Sequence, residues 1–546
     1  MESSCLTTCW IWSRSTTMAR NTAKLAGKNG AAIALAGALL VWLMTGCAQT
    51  TLEQNSTAKD VLAEGIEALD DRYINPVQPD NIMMAGLAKL SSIDESLTVT
   101  RTSKSVFLEQ DGGTVTERPL PDANNIHDWS ELGANILLDA RRTSTAFLTY
   151  SQEELLKFVF QGLVSGLDRY SRYLSPEDAR NSRASREGFG GIGVQIDQVD
   201  GEYVVRSTFP DHPAVAAGLQ ENDRITHIEG RAISGLALLD VVNKLRGRVG
   251  EAVKITFVRT GSARSFDRSI IRDYIVASTV NVRQKDKILE VTLSGFNTGT
   301  VGELRRAIVK TAREIGPGLR GIMLDLQGNP GGLLDQAIAV SDLFLSRGRI
   351  ISTKGRHPDS NQLFDASPGE VLPGVPMVVV VNGRSASAAE IVAVALRDAG
   401  RAAIVGSTSF GKGSVQTIVR LPNNAELNIT WARIFAPSGQ TLDSQGIVPA
   451  ICTNVTSQQI TKILTALASR GEYSDLTPAK LRIQARQPHY SAERRKACMP
   501  TDRRASHDLQ AARLLLTNRG SYAAATNRLA PTLAKRLPNN RGSHIK

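Results

Sequence analysis

The stretch Gly321-Ile-Met-Leu-Asp-Leu-Gln-Gly-Asn-Pro-Gly-Gly332 decides the fold class. It opens as a continuous apolar run and closes in a polar, glycine-rich turn. A strand buried on both faces reads as an unbroken apolar run, whereas a half-exposed one alternates. Met377-Val-Val-Val-Val381 repeats the pattern, residues 402–406 give another short strand, and helical patterns follow the long runs. Strands alternating with helices from 280 to about 450 make an α/β core.

Working outward, residues 187–272 change character. Short alternating strands at 202–206 and 253–258 flank one helix at 237–245, and glycines cluster at 188, 190, 191 and 193. Further upstream, residues 51–90 read as helical, with Leu62, Ile66, Leu69 and Tyr73 on one face and Asn75-Pro76 as a break. Residues 105–120 read as a hairpin around Asp111-Gly112. Ser151 with Glu154 three residues on is a capping-box pattern, and Leu155, Val159, Leu163 and Leu167 continue that helix face. The last hundred residues show helical patches such as 509–516 and no catalytic constellation.

Of 546 residues, 42% are hydrophobic and 21% charged, which excludes a mostly disordered chain, a collagen and a multi-span membrane protein. The formal charge is +11, and residues 471–546 hold 15 Lys/Arg against 5 Asp/Glu, so the excess sits in the tail. A solvated, partly helical appendage is the plain reading of such a tail, and an anionic partner is the sharper one. No aromatic residues interleave the basic ones at a stacking spacing, so no nucleic-acid partner is expected.

The N-terminus reads as an address. Arg20, Lys24 and Lys28 precede an apolar run at 31–44, and Thr45-Gly46-Cys47 follows. The run is shorter than a transmembrane helix of about 20 residues. It resembles a bacterial lipoprotein signal at 1–46, with Cys47 lipidated; Met18 is an alternative start, and an uncleaved anchor is the alternative reading. Either way the remainder lies outside the cytoplasm. Cys452 and Cys498 then remain, and an oxidising compartment permits a disulfide between them. The mature part has no C-x-x-C spacing, and no metal or cofactor is expected.

The chemistry concentrates in three places. Asn382-Gly-Arg-Ser-Ala-Ser-Ala-Ala-Glu-Ile391 joins a buried strand to a helix. Ser387 fits an N-cap with Glu390 as capping-box partner. The same helix end suits a nucleophile, with the Ala388 N–H facing a developing oxyanion. Phe410-Gly-Lys-Gly-Ser-Val-Gln416 offers the base: a solvated loop lysine by default, but a competent general base if burial keeps Lys412 neutral. Gln416 lies at an even offset, on the same face of an extended segment, where it suits holding the amine. Gly331 and Gly332 either make an ordinary turn or supply a second oxyanion donor. Residues 406–412 match most of a phosphate-binding loop, but Gly413 stands where Ser/Thr is needed and a strand follows. Ser409-Phe-Gly-Lys412 matches S-x-x-K without S-D-N or K-T-G elsewhere.

These three segments, in order and spacing, resemble the signatures of the bacterial carboxyl-terminal processing proteases, PDZ-containing Ser/Lys endopeptidases. The resemblance covers about 155–450. It implies Ser387 as nucleophile, Lys412 as general base, Gln416 as its orienting residue, and Ala388 with Gly331 or Gly332 as oxyanion donors. It implies a multidomain α/β chain: signal at 1–46, N-terminal helical region at 47–186, PDZ-like domain at 187–273, crotonase-like Ser/Lys peptidase core at 274–456 and basic helical region at 457–546. In the PDZ-like part, Gly191, Ile192, Gly193 and Val194 fit a carboxylate-binding loop for an apolar, free substrate C-terminus, and Arg246 fits either a charge sensor of that tail or a structural salt bridge. Protein substrates, a homo-oligomer through the N-terminal helices and an adaptor are implied as partners. The implied location is the periplasmic side of a bacterial membrane, and Ala48 after Cys47 points to the outer one. Asp168-Arg-Tyr replaces a usual Asp-Pro-His, Ala389 a common third Ser, and Val448-Pro-Ala450 a usual Pro-Asp. The rivals are a PDZ scaffold with an inactive or adaptor-gated core, and a small-molecule Ser/Lys hydrolase.

Overall fold

Alternation inside the buried strands decides how the layers stack. In the strands Gly321–Asp325 and Met377–Val381, Ile322, Leu324, Val379 and Val381 point to one apolar cluster, and Met323, Val378 and Val380 to another. Both faces of the sheet are therefore covered, as an unbroken apolar run requires. The computed structural model describes residues 57–468 apart from 260 and 263, together with 495, 496 and 498–527. The signal at 1–46, Met18 and Cys47 lie outside the described residues.

The core sheet runs in the order Val280–Lys285, Ile288–Leu293, Gly321–Asp325, Met377–Val381, Ala403–Gly406, Ile451–Cys452. The first pair is antiparallel and the rest are parallel. Helices Thr300–Ile315, Leu334–Asp342 and Ala388–Asp398 cover one face. Residues of helices Ser457–Ala468, Ser506–Thr517 and Arg519–Asn527 cover the other. Here the expectation of a solvated basic appendage is corrected for the described part of the tail. Ala511, Ala512, Leu515 and Leu516 share one helix face and are buried on the sheet, each leucine contributing about 1.5–3 kcal/mol. Among the described residues, Arg503, Arg504 and Arg519 are exposed on this layer, and Arg513 pairs with the buried Glu290.

A second sheet, Gln362–Asp365, Arg349–Gly355, Glu426–Phe435, Ser414–Arg420, leans on the first, and Arg172–Leu174 pairs with its long strand. That strand also joins the core to the N-terminal layer: Leu427 and Ile429 are buried with Leu62, Ile66, Leu69, Leu155, Val159 and Leu163. The N-terminal helices are Ala58–Arg72 and Pro79–Leu87, broken where Asn75-Pro76 interrupts the pattern. Ser151 caps Gln152–Ser165 with its side chain, and the Glu154 carboxylate accepts the Ser151 N–H at 2.7 Å. The hairpin Ser105–Gln110/Gly113–Pro119 turns at Asp111 and Gly112, both at positive φ. Leu97–Arg101 adds a third strand that the pattern did not announce.

Between these parts, five strands in the order Ser265–Ile271, Ala252–Val258, Arg224–Ile228, Glu202–Thr208, Val194–Val199, with the short Arg231–Ala232 paired beside Arg224–Ile228, form a sheet with helix Leu238–Leu245 packed on it. Val194–Val199 is an edge strand. Phe189–Gly191 and Asp273–Ile275 pair as a two-stranded stem where the chain enters and leaves this domain. No helix among the described residues is long and apolar enough to cross a membrane.

Candidate active site

Three neighbouring parallel strands end at Asp325, Val381 and Gly406, so the loops that follow them emerge along one edge of the sheet. Open α/β sheets bind their ligands at such an edge. These loops are 326–332, 382–387 and 407–413, the segments that carry the candidate chemistry.

Asn329, fully buried, holds the first loop to the second. Its Oδ1 accepts the Gly331 N–H at 2.9 Å, its Nδ2 donates to the Leu293 carbonyl, and its own carbonyl accepts the Ala386 N–H at 2.9 Å. Gly331 has φ 105°, and a methyl group there would lie 2.9 Å from Ser387 Cβ and 3.0 Å from the Ala388 nitrogen. Only glycine fits. Because the Gly331 N–H is bound to Asn329, the open donor of the pair is Gly332. The N–H groups of Gly332 and Ala388 reach no acceptor among the described residues.

Ser387 precedes helix Ala388–Asp398 with φ 54° and ψ −114°, a conformation an L-residue holds at a cost of about 1–3 kcal/mol. It is half-buried, between Gly331 and the buried Ala388. Ser385, by contrast, is fully buried and donates its hydroxyl to the Leu326 carbonyl, a structural bond.

Glu390 is the residue sequence reading undervalued. It is fully buried, and one carboxylate oxygen accepts from the backbone N–H of both Ser387 and Lys412, each at 2.9 Å. The other accepts the Ser409 hydroxyl at 2.5 Å and the Gly411 N–H at 2.7 Å. The capping-box bond is thus one of four that clamp the 382–387 loop to the 407–413 loop. Burial pushes the Glu390 pKa up, and hydrogen bonds from Ser409, Lys412, Gly411 and Ser387 oppose that push.

Lys412 is threaded in by its flanking glycines. A side chain on Gly413 would collide with the Asp443 nitrogen at 2.0 Å, and one on Gly411 would crowd the Gly446 nitrogen at 3.0 Å. The Lys412 ammonium lies 5.0 Å from the Tyr170 ring centroid. Desolvation lowers its pKa, the Arg172 charge lowers it further, and Asp168 and Glu390 work against both. Tyr170, Arg172 and Asp168 come from the segment where Asp-Arg-Tyr departs from the resembled pattern, some 240 residues away in sequence. The Tyr170 hydroxyl is buried with no hydrogen bond of good geometry among the described residues; burial raises its pKa, and the neighbouring Arg169 opposes that rise.

Gln416 is placed differently from the expectation. Its Nε2 donates to Ser414 Oγ at 3.0 Å and Thr430 Oγ1 at 3.1 Å, and Thr430 in turn donates to Asp168. Strand Ser414–Arg420 begins after the lysine and its pairing shifts register between Val415 and Gln416, so the even-offset argument does not hold across this stretch. No hydrogen bond joins Gln416 to Lys412, or Lys412 to Ser387, among the described residues. Nucleophile–base contacts commonly tighten only with substrate bound. Asp398 stands about 16 Å along the helix axis from Ser387, buried against Arg397 and accepting the Ser438 N–H.

In the five-stranded domain, Gly191, Ile192 and Gly193 are buried and lead into the edge strand at Val194. The Ile192 and Gly193 carbonyls accept the N–H of Ala214 and Phe209, which fixes the loop. Gly193 has φ 81° with His212 packed against it. The Arg246 guanidinium lies 4.4 Å from the Phe189 ring centroid and donates to Asn181 at 2.9 Å. It pairs with no carboxylate among the described residues, its Nε is buried without a partner, and desolvation lowers its pKa. Cys452 and Cys498 are joined as a disulfide. No group of three or more His, Cys, Asp or Glu among the described residues is arranged to hold a metal ion.

An edge-strand domain with a glycine-rich entry loop, in series with an α/β core whose loops meet at a strained serine, defines a hydrolase coupled to a peptide-binding module. Residues 287–453 match Peptidase family S41, and residues 190–270 match the PDZ domain. The chain is 40% identical over 313 residues to a carboxy-terminal-processing protease of Bartonella bacilliformis, covering 57% of this chain and 72% of that one. It is 34% identical over 302 residues to the carboxy-terminal processing protease CtpA of Bacillus subtilis, covering 55% and 64%. Among solved structures, a photosystem II D1 C-terminal processing protease is similar over 72% of this chain and 93% of that one, with 21% identity and a TM-score of 0.37. The chain belongs to peptidase family S41 and is a serine protease carrying a PDZ domain.

Proposed function

We propose that this protease works by a Ser/Lys mechanism on protein substrates that its PDZ domain captures by a free, apolar C-terminus. Ser387 Oγ attacks the scissile carbonyl carbon while neutral Lys412 takes the hydroxyl proton. The N–H groups of Gly332 and Ala388 hold the oxyanion. As the C–N bond breaks, Lys412 returns the proton to the leaving amine, and water then hydrolyses the acyl-serine with the same lysine as base. The observation that carries this reading is the buried Glu390 carboxylate, bonded to the Ser387 and Lys412 backbones at once. Gln416 acts on this site at one remove, through Thr430 and Asp168.

The PDZ part of the reading rests on the open edge of Val194–Val199, which can accept an added strand, with the 191–194 loop at its start for the carboxylate. Arg246, with an unpartnered Nε, supplies positive charge nearby. The lipoprotein-like segment ending at Cys47 supports anchoring on the periplasmic side of a bacterial membrane, and the Cys452–Cys498 disulfide fits that oxidising setting. A second reading has an observation of its own: without a Ser387–Lys412 hydrogen bond, the core suits a resting state released by substrate or an adaptor.

A pair of loosely folded substrates ending in apolar residues, one with a free carboxylate and one amidated, tests the recognition step. Faster cleavage of the free acid is expected. Equal rates would leave the protease and remove the PDZ mechanism.

A further inference from the structure

The segment 498–508 lies outside the matched peptidase region of 287–453, yet it bonds to all three active-site loops from behind. On the oxyanion loop, the Arg504 guanidinium donates through both Nε, at 3.0 Å, and Nη2 to the Gln327 carbonyl, and Gln327 Nε2 donates to Asp508 at 2.6 Å. On the nucleophile loop, the Gly383 N–H donates to the Thr501 carbonyl at 2.8 Å. A side chain at Gly383 would press on Thr501 and Pro500 at 3.1 Å, so the two backbones are in close contact. On the base loop, the Thr501 N–H donates to Ser407 Oγ at 3.2 Å and the Thr408 hydroxyl donates to the Cys498 carbonyl. The segment is tethered at its start, where the disulfide ties Cys498 to Cys452 at the end of the last parallel strand. At its far end Asp508 opens the helix Ser506–Thr517, which is packed on the sheet.

We propose that residues 498–508 are a strap that aligns the oxyanion, nucleophile and base loops, with Arg504 as its positioning residue and the Cys452–Cys498 disulfide as its anchor. The proposal rests on the Ser/Lys reading above. Arg504 touches no reacting atom. It fixes the Gln327–Gly328 peptide, and three residues later Gly331 lies against Ser387. Gly383 is fixed four residues before Ser387, and Thr408 four residues before Lys412. Small displacements of such loops act on the chemical step rather than on substrate binding, because no backbone hydrogen bond among the described residues joins the PDZ edge to the strap.

The test uses the full chain in its oxidised form, with a protein substrate bearing a free apolar C-terminus. Arg504→Ala is expected to lower kcat about tenfold with KM changed less than about twofold. Its melting temperature should hold, because Arg504 is an exposed residue outside the apolar core. Arg504→Lys, which keeps the charge and one donor, should restore much of the loss. Dithiothreitol, which gives two electrons and two protons to the disulfide and leaves as its own cyclic disulfide, should lower kcat in the same way. Reoxidation should restore it, and a Cys452→Ser/Cys498→Ser double variant should be slow and indifferent to dithiothreitol. Unchanged kcat in both Arg504→Ala and the reduced protein, with Ser387→Ala inactive, would overturn the strap and leave the site assignment standing. A loss that simply follows a fall in melting temperature, without rescue by lysine, would also overturn it. Cleavage by Ser387→Ala would instead sink the site reading, and the strap with it.

Discussion

Replacing Glu390 by Gln isolates the clamp between nucleophile and base. The carboxylate accepts four hydrogen bonds, two on each oxygen. An amide keeps one acceptor oxygen and turns the other into an NH2 donor. With the NH2 toward Ser387 and Lys412, two backbone donors face a donor; turned the other way, one does, because the Ser409 hydroxyl can turn to accept. If the NH2 takes the position facing Ser387 and Lys412, both catalytic loops lose their tie. If it takes the other, Gly411 N–H loses its acceptor, and Ser409 Oγ, which already accepts the Ile447 N–H, must rearrange. Hydrogen bonds to a charged group are worth about 1.5–3 kcal/mol each, so losing one or two of them costs about 1.5–6 kcal/mol. With that cost shared equally between the ground state and the aligned transition state, kcat falls by about four- to a hundredfold. The remainder lowers the melting temperature by several degrees, at about 2–4 °C per kcal/mol for a domain of this size. Steady-state cleavage of a loosely folded protein, with a thermal melt of the same preparation, measures both. A Glu390→Gln protein with kcat within about threefold of the parent and an unchanged melt would refute the clamp.

Two further outcomes follow from the same geometry. Burial and the Arg172 charge depress the Lys412 pKa below its ordinary 10.5, so log kcat/KM should rise with unit slope and level off before pH 10.5, and Arg172→Gln should move that limb to higher pH. The unfolded chain binds a proton that the folded chain has released between the depressed pKa and 10.5, so Lys412 makes stability rise with pH across that window; an activity limb inflecting at or above 10.5 would contradict a buried base. Gly331→Ala puts a methyl group at φ 105° within 3.0 Å of the Ala388 nitrogen, and a loss of at least about a hundredfold in kcat is expected, read against a circular-dichroism spectrum that stays native.

Much of the core was legible because its signals are local. An unbroken apolar run reports burial on both faces, and a polar, glycine-rich end reports the strand-end loop, so 321–332 and 377–391 carry their own placement. Asp111-Gly112 and Ser151 with Glu154 are likewise complete within a few residues. What sequence reading missed is non-local. Glu390 shows only its capping partner in sequence, while Ser409, Gly411 and Lys412 reach it from 19 to 22 residues away. Asp168, Tyr170 and Arg172 meet Lys412 only because Arg172–Leu174 pairs with the strand beside the base loop. The bonds of Gln416 to Ser414 and Thr430 were not legible because a register shift breaks the period of two on which the even offset relies. The tail looked like an appendage because its charge is visible in composition, whereas the bonds from Thr501 and Arg504 to the catalytic loops are not.

The central claim is that Ser387 and Lys412 act together on a peptide bond. The most direct measurement is intact-mass analysis of one protein substrate incubated with the parent, Ser387→Ala and Lys412→Ala proteins, each shown folded by its melt. New C-terminally shortened products are expected with the parent alone. The same products from either variant would contradict it.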